Sequence, residues 1–69
     1  MGYELKIHSW GKHSNGVEPD NKQTWDFAFV HDYRAKLREM IGYYNVRASR
    51  FVCYLNGEEV YNSQYPTGR

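Results

Sequence analysis

Between Tyr3 and Trp10, apolar Tyr3, Leu5 and Ile7 alternate with polar Glu4, Lys6 and His8. An alternation of two sends successive side chains to opposite faces of an extended chain. The run therefore predicts a strand with Leu5 and Ile7 on one face and Lys6, His8 and Trp10 on the other. Thr24 to Val30 alternates in the same way, with Trp25, Phe27 and Phe29 on one face and Asp26, Ala28 and Val30 on the other. It predicts a second strand, antiparallel to the first. The period then changes: Tyr33, Leu37, Met40, Ile41 and Tyr44 fall at helical spacing and form one apolar stripe, with Arg34, Lys36, Arg38 and Glu39 off it. Asp32 is the expected N-cap, because its carboxylate can accept from the free N–H groups of the first turn. Asn45 is the expected stop.

Strand character returns from Ser49 to Tyr65, on both sides of Asn56-Gly57, the pair favoured in two-residue type I′ hairpin turns. That turn sets a register of Leu55 with Glu58, Tyr54 with Glu59, Cys53 with Val60 and Val52 with Tyr61. Phe51, Cys53, Leu55 and Val60 then share one face, and Arg50, Val52, Tyr54 and Tyr61 the other. Residues 11–23 contain Ser14, Asn15, Gly16, Pro19, Asp20 and Asn21, and read as a long connection between the first two strands, a mobile one in the simpler reading and a functional loop in the alternative. Residues 66–69 read as a frayed tail.

The order ββαββ predicts one domain over residues 1–69 of the α+β class: a two-layer structure with one helix packed on one face of a small antiparallel sheet, because the helical stripe needs an apolar surface to cover. The expected core is Leu5, Ile7, Trp25, Phe27, Phe29, Tyr33, Leu37, Met40, Ile41, Tyr44, Phe51, Cys53, Leu55 and Val60. The second sheet face is left bare.

Composition sharpens this picture. Seven tyrosines, two tryptophans and three phenylalanines in 69 residues exclude a disordered chain and give a short one enough apolar area for a core. The lone cysteine, Cys53, excludes an internal disulfide and fits a reducing compartment. The N-terminus has no apolar signal region and no run is long enough to cross a membrane, so a cytoplasmic protein without membrane contact is expected. The net charge of +1 is unevenly spread. Residues 31–50 hold Arg34, Lys36, Arg38, Arg47 and Arg50 against Asp32 and Glu39.

Candidate chemistry is sparse. His8, His13, His31 and Cys53 lack the short paired spacing of zinc ligands, and Cys53 and His8 fall on opposite faces, so no metal site and no cofactor is expected. Cys53 reads as a small buried hydrophobe, the serines lie in no nucleophile motif, and no glycine spacing cradles phosphate, so the chain does not read as an enzyme.

The bare sheet face carries the functional reading. Aromatics interleaved with cations on an open sheet suit a protein interface, with Trp10, Tyr54 and Tyr61 as anchors and Arg47 and Arg50 as orienting charges. The alternative is nucleic-acid binding through Lys6, His8, Arg34, Arg38, Arg47 and Arg50, where aromatics stack bases and cations meet phosphates. A solvated face that binds nothing, and a homodimer formed through an edge or through this face, are the remaining readings. In size and plan the chain resembles the small α+β proteins with which phages and mobile elements bind and inhibit host machinery, a resemblance of type that no residue motif carries. The expected partner is accordingly a protein, and the expected role that of an inhibitor or adaptor.

Overall fold

The structure, a computed structural model, describes residues 2–14 and 16–64; the tail expected at 66–69 lies outside them. Strands β1 (Tyr3–Gly11) and β2 (Asn21–Phe27), helix α1 (Val30–Arg47), and strands β3 (Ala48–Leu55) and β4 (Glu58–Asn62) follow in that order. The four strands form one antiparallel sheet in the order β2-β1-β3-β4. The helix lies across β2, β1 and β3 on one face. This is the two-layer ββαββ arrangement expected from the sequence.

Side-chain alternation builds the core as predicted along β1 and β3. Leu5, Ile7, Phe51 and Cys53 are fully buried under the helix, with Leu5 paired to Leu55, Ile7 to Cys53 and Ser9 to Phe51. From the helix, Tyr33, Met40 and Tyr44 point down into them, and Leu37 and Ile41 pack at the side. The core is largely aromatic. Tyr3 stacks on Tyr33, and Tyr44, Phe51 and Tyr61 form a chain of ring contacts at 5.6 and 5.5 Å, a geometry that adds to the apolar burial. The Tyr44 hydroxyl donates to Gln23 Oε1, and Asn21 Nδ2 donates to that hydroxyl, so the far end of the helix is fastened to β2. At the tight turn, Asn56 (φ 51°) and Gly57 (φ 88°) take the left-handed backbone that a type I′ turn requires. Asn56 also exchanges two bonds with the Glu4 backbone, extending the β1–β3 ladder.

Four expectations are corrected. β2 spans Asn21–Phe27 rather than Thr24–Val30, because Phe27 pairs with Tyr3, the first residue of β1, and beyond it there is no strand to pair with. Phe29, expected in the core, is therefore 68% exposed, and Val30 opens the helix. The N-cap is Phe29, with no side-chain cap bond, and Asp32 sits inside the first turn, where its charge favours the helix dipole. The helix runs past Asn45 to Arg47, and the Ala48 N–H bonds the Tyr44 carbonyl as β3 begins.

The fourth correction concerns the β3–β4 register. Leu55 faces Glu58 and Tyr54 faces Glu59 as the turn dictates, but the register shifts there and Cys53 pairs with Tyr61. Val60 is the extra residue of a β-bulge. Tyr61 therefore joins the helix side, stacked on Phe51, and Val60 is exposed, the reverse of the expected faces.

Candidate functional site

The open face of the sheet is built in rows by the strand register. Trp10 and Arg50 form the first row; Lys22, His8, Val52 and Asn62 the second; Thr24, Lys6, Tyr54 and Glu59 the third; Asp26 and Glu4 the last. Cations thus gather toward the loop end and carboxylates toward the hairpin end. Among the described residues the one ion pair, Lys36 with Glu39, lies on the helix, so Lys6, Lys22 and Arg50 have no acidic partner.

Trp10 is not a free anchor. It is 8% exposed, its indole N–H donates to the Val17 carbonyl at 3.1 Å, and the Arg50 guanidinium sits 3.8 Å from its ring centre. Residues 16–20 are thereby held against the end of the sheet rather than left loose. Their exit is tied as well: Asp20 Oδ2 accepts from the Gly11 N–H at 2.8 Å, and the Asp20 N–H donates to the Ser9 carbonyl. The cation–π contact and the indole bond each rigidify this end.

Tyr54 is where the expectation stands geometrically: it lies half-buried on the open face, its ring 5.1 Å from that of His8, with Lys6 opposite it on β1. Burial first, and then the charges of Lys22 and Lys6, hold the His8 imidazole below its ordinary pKa, so it is neutral at pH 7. Val52, between them, is buried. The face therefore sets the Tyr54 and His8 rings over the buried Val52, with Lys6 and Lys22 on the β1–β2 side, Arg50 at the loop end, and Asn62 and Glu59 on the β4 side.

The remaining predicted residues do not join it. Tyr61 lies in the other layer, as described. Arg34, Arg38 and Arg47 lie on the helix, with Arg47 stacked 4.6 Å from the Tyr43 ring. Arg47 and Arg50 are thus in different layers. Lys22 is the residue that sequence reasoning missed: it lies in the stretch expected to be a loop, although Lys22, Thr24 and Asp26 continue one alternation. Cys53 is walled off on the helix side, and burial pushes its thiol up to about 12. Among the described residues no three His, Cys, Asp or Glu side chains converge. Among the described residues no helix is long and apolar enough to cross a membrane.

Compared with family models, curated proteins and solved structures, the chain matches none.

Proposed function

We propose that the chain is a non-enzymatic protein-binding module, an inhibitor or adaptor of the small phage-type class, acting through the open sheet face around Tyr54. The observation that carries this reading is the pair of rings, Tyr54 and His8, over the buried Val52, flanked by Lys6, Lys22 and Arg50, none of which is ion-paired among the described residues. An apolar centre with a charged rim is the anatomy of a protein interface. Tyr54 is the anchor, Lys6, Lys22 and Arg50 orient the partner, and the Trp10–Arg50–Val17 lock holds that end of the face rigid, which lowers the entropy lost on docking. The partner chemistry that fits is an acidic protein surface with an apolar projection.

Nucleic-acid binding is the second reading, favoured by the same cations. Two features weigh against it. Arg34, Arg38 and Arg47 sit in the opposite layer, so they cannot meet one strand together with Lys6 and Arg50 across the flat of the sheet, and Glu4 and Asp26 occupy the other end of the face, with Glu59 beside Tyr54. Light scattering with a single-stranded oligonucleotide at low and high salt separates the readings. The expected result is a monomer whose mass ignores the oligonucleotide. A salt-sensitive mass increase would move the face to nucleic acid, since phosphate contacts weaken steeply with ionic strength. A dimer of the chain alone would mean that the face, or an edge, is covered by its own copy.

A further inference from the structure

The sheet is one strand wider than its cover. The helix packs on β2, β1 and β3 and, among the described residues, does not reach over β4. One flank of the helix faces β2, where Lys36 lies 5.7 Å from the Trp25 ring centre. The buried row of Tyr33, Met40 and Tyr44 comes next around the helix, and Leu37 and Ile41 follow on the other flank, toward β3 and β4. There they line a shallow groove of about 390 Å³ together with Arg34 and Arg38. Below this flank the sheet offers Leu55 and Tyr61, both only partly buried, with the exposed Glu58 beside Leu55 at the hairpin end. Arg34 and Arg38 are exposed, one turn apart, and have no acidic partner among the described residues, whereas the helix's own carboxylates, Asp32 and Glu39, lie off this flank.

We propose that this step between α1 and β4 is a second docking site, separate from the open sheet face, and that it takes an acidic amphipathic helix of a partner protein. The choice of occupant follows from charge and spacing. The groove is apolar with two unpaired guanidinium groups at its rim, a pattern matched by apolar side chains at i, i+3, i+4 and i+7 with glutamates beside them. Arginines one turn apart meet carboxylates that are themselves one turn apart on the docked helix, each pair able to form a forked bond.

The test is a titration of isotope-labelled protein with a synthetic amphipathic helix of about 14 residues, four turns, carrying leucine on one stripe and glutamate along its edges. Amide shifts should cluster at Leu37, Ile41, Leu55 and Tyr61. The double variant Arg34→Glu/Arg38→Glu changes only exposed side chains, and it should weaken binding about tenfold or more, the scale of two rim ion pairs lost and reversed. A peptide with lysine in place of glutamate should then bind the variant better than the wild type. Tyr54→Ala should leave this binding unchanged, so the groove and the open face stand or fall separately. No shifts at millimolar peptide, shifts on the open face instead, or equal binding to the double variant would each overturn the proposal.

Discussion

Replacing Trp10 separates the lock described above from an exposed anchor. Trp10→Phe keeps a ring beneath Arg50 but deletes the donor to the Val17 carbonyl. The lost hydrogen bond is worth about 1 kcal/mol. The weaker cation–π partner adds about 0.5 kcal/mol. The sum, about 1–2 kcal/mol, corresponds to a fall in Tm of about 5–15 °C for a domain of this size. Trp10→Ala also removes a large side chain that is 8% exposed, at about 3–5 kcal/mol. At about 0.05–0.15 kcal/mol per residue, a 69-residue domain has only about 3–10 kcal/mol in all, so this variant should be largely unfolded or close to it. Far-UV circular dichroism melts and urea titrations read both, with Trp25 as the remaining fluorescent reporter. If Trp10→Ala melts within about 1 kcal/mol of the wild type, the ring is not a structural lock and its assignment as a binding anchor returns.

Other consequences can be measured on the same protein. Tyr61→Ala should cost about 2–3 kcal/mol, through loss of the Phe51 stack, and Val60→Thr should stay within about 0.5 kcal/mol; the unbulged register requires the reverse order in urea titrations. With its thiol pushed up to about 12, Cys53 should react with a thiol reagent only at the rate at which the domain opens, and immediate reaction in native buffer would place it at the surface. The folded-state pKa of His8 is lowered, so the unfolded chain takes up its proton first. Stability should therefore be undiminished above pH 6.5, the ordinary histidine value, and decline as pH falls below it through the lowered pKa. In His8→Gln that part of the pH dependence should vanish, and an unchanged profile would shift its cause to other groups.

What was legible in the sequence was what depends on near neighbours. The stripe from Tyr33 to Tyr44 needs only a period, and Asn56-Gly57 needs only its own backbone. Both specify their element without reference to the rest of the chain. The misplaced residues depend on something distant. The end of β2 is set by where β1 begins, so alternation running on through Phe29 could not reveal that its partner strand had stopped at Tyr3. Val60 and Tyr61 are adjacent, and a single inserted residue exchanges their faces. Stacking the larger tyrosine ring on Phe51 under the sheet buries more apolar area than the valine would, an energetic preference that a turn rule omits. Trp10 was on the predicted face, but its burial comes from Val17 in the connection and Arg50 on β3, neither of which alternation can connect to it. The same contacts turned a segment expected to be mobile into a tethered one.

Strand order was the missing quantity for the candidate site. Placing β1 and β3 side by side brings Lys6 against Tyr54 and His8 against Val52, and concentrates the cations at one end. Binary patterning supplied the residues of this face but not their neighbours. It also gave no way to know that Arg34 and Arg38 would stand on a flank beyond which β4 lies out of the helix's reach.

The measurement that tests the proposed interface most directly is affinity capture from extracts of the source cells with three immobilised proteins whose melts coincide: the wild type, Lys6→Glu/Tyr54→Ala, and His13→Ala as a control in the exposed connection. The open-face account predicts one protein retained stoichiometrically by the wild type and the control, and lost from the Lys6→Glu/Tyr54→Ala variant. Retention of that protein by the open-face variant, at the same yield and salt, would contradict it.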